Sequence, residues 1–81
     1  SAIRKVLQDL RAETELTQDA VIIDIYDSKG ITINLARIET GKGNITPSII
    51  YLLCEYYKIP ISIFFKRVEE IDEKLLIKKK K

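Results

Sequence analysis

The chain has 81 residues, 46% hydrophobic and 32% charged, a composition that suits one domain with a modest core and excludes a disordered or collagen-like chain. It has no histidine and one cysteine, Cys54, which excludes an internal disulfide, a four-cysteine zinc site and histidine general-base chemistry. Its net charge of +2 belongs to the end of the chain: setting aside the four lysines 78–81 takes it to −2, so global charge names no partner.

The lysine run reads either as a solvated end or as a contact for phosphate or an acidic membrane. No apolar run approaches the roughly 20 residues that span a bilayer. No secretory signal is visible, so an intracellular, cytoplasmic location is the expectation.

Ile3, Val6, Leu7 and Leu10 recur at helical spacing and predict a first amphipathic helix ending near residues 13–15. Thr17 is suited to cap a second helix, with Asp19 at its positive end. Residues 20–36 then admit two readings. Val21-Ile22-Ile23 and the alternating Ile31, Ile33 and Leu35 flank the turn signal Asp27-Ser28-Lys29-Gly30, which reads as a β-hairpin. Alternatively, Val21, Ile22 and Ile25 share one helical face, followed by a loop and a helix burying Leu35 and Ile38. Propensity does not choose between them.

Gly41-Lys42-Gly43 lacks the spacing of a phosphate loop and reads as a helix cap and turn. Thr46-Pro47 opens a helix whose stripe is Ile49, Leu52, Leu53 and Tyr56. Cys54 within it reads as inert packing. Pro60 ends that helix and opens a short one carrying Ile61, Phe64 and Phe65. Residues 66–77 predict a further helix with a Val68, Ile71, Leu75 seam and a Glu70–Lys74 pair. No metal set, cofactor motif or nucleophile with a base is present, so an enzyme is not expected.

Three segments, taken in order, break the tie: Leu16-Thr17-Gln18, then Arg37-Ile38-Glu39-Thr40-Gly41-Lys42, then Thr46 leading to Tyr57-Lys58-Ile59-Pro60-Ile61 and Phe64-Phe65. Over about residues 3–67 this set resembles the Cro and phage-repressor class of helix-turn-helix domains, the XRE family. The spacing from Gln18 to Gly41 is longer than is usual there, with the extra residues falling around Tyr26 to Ile31. Asp24 and Asp27 add negative charge nearby.

The resemblance implies an all-α fold: a five-helix, lambda-repressor-like DNA-binding domain (3–67) with an additional C-terminal helical extension and basic tail (68–81). It implies a sequence-specific regulator of transcription whose recognition helix, about 32–40, enters the major groove of double-stranded DNA. Base contacts would fall to Thr32, Ile33, Asn34, Ala36 and Arg37: Arg37 forking onto guanine, Asn34 pairing with adenine, Ile33 or Ala36 meeting a thymine methyl. Asn34 is read equally as a local hydrogen bonder at the helix start. Phosphate contacts would fall to Thr17, Gln18, Lys29, Lys42, Asn44 and Thr46. Arg11 and Glu39 match a structural ion pair of the family. A homodimer through helix five and the C-terminal segment is implied for a two-fold operator. The alternative is an antitoxin-type module that binds a protein partner and represses its own operon.

Overall fold

Local capping chemistry sets where most of the helices begin and end. The computed structural model describes residues 2–41 and 44–79, with side chains described at 2–41 and 44–73. Five helices follow one another: α1 (Ala2–Thr14), α2 (Gln18–Lys29), α3 (Leu35–Thr40), α4 (Pro47–Tyr56) and α5 (Ile61–Lys79). No strand occurs among the described residues, and the fold is all-α. The side-chain oxygens of Thr17, Asn34 and Thr46 accept from the amides of Ala20 (3.1 Å), Arg37 (3.1 Å) and Ile49 (3.3 Å). Each satisfies a donor that a first helical turn leaves without a partner. Pro47 takes the first position of α4, where no amide is missed.

The helical reading prevails over the hairpin across 18–29. Thr17 starts α2, and Gly30 stops it in the left-handed region at φ 69°, its amide donating to the Tyr26 carbonyl at 2.8 Å. The β-branched residues do not prevent this, because coiling buries Val21 and Ile25 together. Ile23 and Tyr26 are left outward, 57% and 58% exposed.

The alternation after Gly30 is also real, but local. Residues 30–34 form an irregular connection in which Ile33, and then Leu35, turn inward while Ile31, Thr32 and Asn34 stay exposed. The third helix therefore starts at Leu35, not near Thr32, because Asn34 closes its cap there.

Helix α1 packs on α5 and α3, α2 packs on α3, and α4 packs on α5. Val6, Leu7, Val21, Ile25, Leu35, Leu53 and Phe64 form the fully buried centre. The buried side of α4 is Ile50, Leu53 and Cys54, so the predicted stripe is rotated. Ile49, Leu52 and Tyr56 are only half-buried. Nearly every face of this helix is apolar, so spacing alone did not single out one.

The fifth helix and the predicted extension are one continuous helix. No glycine or proline interrupts 61–79, and Phe64 and Val68, one turn apart, both reach the core. Nothing in the backbone separates residue 67 from 68. Arg67 on α5 also meets Glu13 on α1 at 2.8 Å. The side chains of Lys74 and Leu75 and of the terminal lysines lie outside the described residues. Among the described residues no single helix is long and apolar enough to cross a membrane.

Helix α4 ends in a Schellman motif: the Ile59 amide donates to the Cys54 carbonyl (3.0 Å) and the Lys58 amide to that of Glu55 (3.2 Å). The geometry forces Lys58 to φ 58°, a conformation that favours glycine. Lys58→Gly should raise stability by about 0.5–1 kcal/mol, read as a higher urea midpoint at unchanged slope.

Candidate nucleic-acid interface

Helix α3 has only six residues, too few to hold themselves in place. Its position comes from a polar network around Glu39, which is 3% exposed. The Arg11 Nε and Nη2 donate to the two Glu39 carboxylate oxygens at 2.8 and 2.9 Å. Arg11 Nη1 donates to the Leu16 carbonyl at 3.2 Å, holding the α1–α2 connection as well. Gln18 Nε2 donates to Glu39 Oε1 at 3.0 Å, and Gln8 Nε2 to the Glu39 carbonyl at 2.6 Å.

The hydrogen bond to Glu39 is the main reason the Arg11 guanidinium is held above its ordinary pKa, against the opposing effect of desolvation. Beside this pair the Tyr57 phenol is pushed up to about 12, chiefly by burial and then by Glu39. The hydroxyl itself is buried and has no hydrogen-bond partner among the described residues.

At the same end of α3, just past Glu39, Gly41 sits at φ 85°, with its amide donating to the Arg37 carbonyl at 3.1 Å. A Cβ there would lie 2.9 Å from Cζ and Nε of Arg4. The left-handed turn favours glycine, and a Cβ there would have to push the flexible end of the Arg4 side chain aside. α3 is thus fixed from α1 near its C-terminal end, where Arg11 and Gln8 hold Glu39 from the inner face.

With Leu35, Ile38 and Glu39 inward, Ala36, Arg37 and Thr40 are presented outward. The Thr40 hydroxyl donates back to the Ala36 carbonyl at 2.8 Å. Asn34 carries its cap through Oδ1, so one lone pair of that oxygen is in use and the side-chain amide nitrogen is left to donate. Thr32 is exposed ahead of the helix.

Ile33 departs from expectation. It is 9% exposed and belongs to the core, so it presents no methyl to a base. The outward apolar residue of this segment is Ile31, at 44% exposure. The period-two alternation was the signal that could have identified it, since it puts Ile33 and Leu35 on one side.

Of the residues expected to meet phosphate, Thr17 and Thr46 spend their hydroxyl oxygens on caps. The Gln18 side chain is turned onto Glu39. Lys29 is paired with Glu55 of α4. Asn44 is exposed in the connection before α4, and Lys42 lies outside the described residues. Asp24 is engaged by Tyr56, whose hydroxyl donates to it at 2.6 Å. Burial, followed by this bond, pushes the Tyr56 phenol up to about 12. The Cys54 thiol is buried and its pKa is raised by desolvation.

Thr32, Asn34, Arg37 and Asn44 line one open groove of about 660 Å³ that separates the loop after α2 from α4. Its other wall carries Tyr51, 63% exposed. Thr17 and Gln18 are not part of it. Among the described residues no group of three or more cysteine, aspartate or glutamate side chains is placed to hold a metal ion. Comparison with family models, with curated proteins and with solved structures gives no match for this chain.

Proposed function

We propose that the chain is a sequence-specific, double-stranded DNA-binding regulator of the Cro/C1 (XRE) class, acting in the cytoplasm. The observation that carries this reading is a short helix, α3, braced from behind by Arg11 and Glu39 and presenting Arg37 and Ala36 outward. Arg37 supplies a forked donor for guanine O6 and N7. Ile31 takes the thymine-methyl role first assigned to Ile33. Thr32 and the amide of Asn34 flank them. At the start of α2 the phosphate contact falls to backbone amides, because the Gln18 side chain serves Glu39.

A two-fold operator asks for two chains, with half-sites about 34 Å apart. Ile63 and Phe65, both exposed on α5, support a homodimer through that helix. Selection from a randomised duplex pool at low salt tests the reading, and an enriched site is the expected result. On that site Arg37→Ala should cost about 1–3 kcal/mol and relax preference at one base pair. A pool with no enriched sequence counts against the proposal.

A further inference from the structure

We propose that Arg4, from the first turn of α1, binds a backbone phosphate of the duplex that α3 reads. The assignment rests on the DNA reading above and adds a contact that reading does not contain.

Lys5, Arg11, Lys29 and Arg67 each meet a carboxylate. Lys58 and Lys66 are exposed to water. Arg4 has neither arrangement. It is half-buried, its Nε is covered, and nothing among the described residues accepts from that Nε. Taking a guanidinium partly out of water without a counter-charge is costly, so the arrangement asks for an anion. With Nε covered, the two Nη groups remain as a planar pair of donors, which suits two oxygens of one phosphate.

Position selects the source of that phosphate. The Arg4 Cζ and Nε lie against Gly41, 2.9 Å from where its Cβ would be. Gly41 caps α3, with its amide donating to the Arg37 carbonyl. In a helix-turn-helix complex the N-terminal residues of the recognition helix meet the base edges. From Asn34 to Gly41 the helix rises about 10 Å, while the major groove is about 8.5 Å deep. With Asn34 at the bases, Gly41 and the guanidinium against it stand level with the phosphates.

The face also lacks cations that were expected on it. Gln18 serves Glu39 and Lys29 serves Glu55, so neither side chain is turned to a phosphate. The connection that starts at Gly41 carries Lys42 and the exposed Asn44, and Arg4 adds a charge beside its first residue.

A structural role competes with this one. The last carbonyls of α3 form the negative end of its dipole, and a cation beside them is favourable. That role bears on stability and leaves the salt dependence of DNA binding as it was.

The slope of log K against log salt separates the two, measured with the full chain on a selected duplex and on an unrelated one. Arg4→Gln, and Arg4→Met, which keeps the packing of the stem, should each reduce the slope by about 0.9 on both duplexes. Base preference should not change. Arg4→Lys keeps a cation and should keep the slope. Lys58→Gln, exposed beyond the far end of α4, should keep it as well. In an operator scanned with uncharged methylphosphonate linkages, one linkage should weaken the parent and leave Arg4→Gln unaffected.

Equal slopes for the parent and both neutral variants overturn the assignment, even where those variants bind more weakly, and leave the DNA reading standing. A parent that binds neither duplex at low salt overturns the DNA reading and the assignment with it. Inorganic phosphate that raises the urea midpoint of the parent and not of Arg4→Gln, with the slopes equal, would make this a site for a free anion and overturn it too.

Discussion

Arg11→Ala should destabilise the fold by about 3–5 kcal/mol, measured by urea unfolding. The side chain lost is itself a quarter exposed, but the group left behind is not. Glu39 would remain a buried carboxylate with its bidentate cation gone and, among the described residues, only the Gln18 side chain still donating to its carboxylate. Glu39→Gln should cost less, because the Arg11 head can turn to water and the Gln8 bond goes to the backbone carbonyl, which the substitution leaves in place. Replacing both residues with methionine should cost less than Arg11→Ala alone, since no unpaired charge is then buried. A loss below about 1 kcal/mol for Arg11→Ala would put the pair in the class of exposed surface bridges, and the bracing role of Glu39 would be wrong.

Ile33→Ala should cost about 2–5 kcal/mol of stability. Ile31→Ala, two residues earlier, should stay within about 0.5 kcal/mol of the parent. The contrast follows from burial alone, with 33 inside the core and 31 in solvent. On a selected operator the order reverses: Ile31→Ala should weaken binding at one A·T position while the protein remains fully folded. Equal stability losses at the two positions would mean that the loop is not held in the orientation described. Chemical denaturation of the two variants decides this without any DNA.

The caps explain why much of the architecture was legible. Thr17, Thr46-Pro47, Gly41 and Pro60 are local signals whose chemistry acts over a few residues, and each marks a helix boundary within a residue or two. The stretch from Val21 to Leu35 was harder, because two periodicities meet inside it. Helical burial governs it as far as Ile25, and alternate burial governs it from Ile31. Extending the helical rule back to Thr32 turned Ile33 outward.

The tertiary part of the candidate site was less accessible. That Gln18 serves Glu39, or that Lys29 finds Glu55, depends on how helices far apart in the chain come together. Side-chain type alone leaves a glutamine or lysine open to phosphate, solvent or a neighbour. Likewise, the break expected near residue 66 had no breaker residue behind it, and α5 runs through.

A six-residue helix gripped from behind by Gln8 and Arg11 has little authority over its own shape. Whatever docks on the 34–40 surface will therefore sense the state of the first helix. A genetic screen scored on occupancy of that surface should return hits at positions 8 and 11 alongside those at the contact itself. Such hits would be inherited loss of posture rather than loss of touch, and warming the parent protein should mimic them.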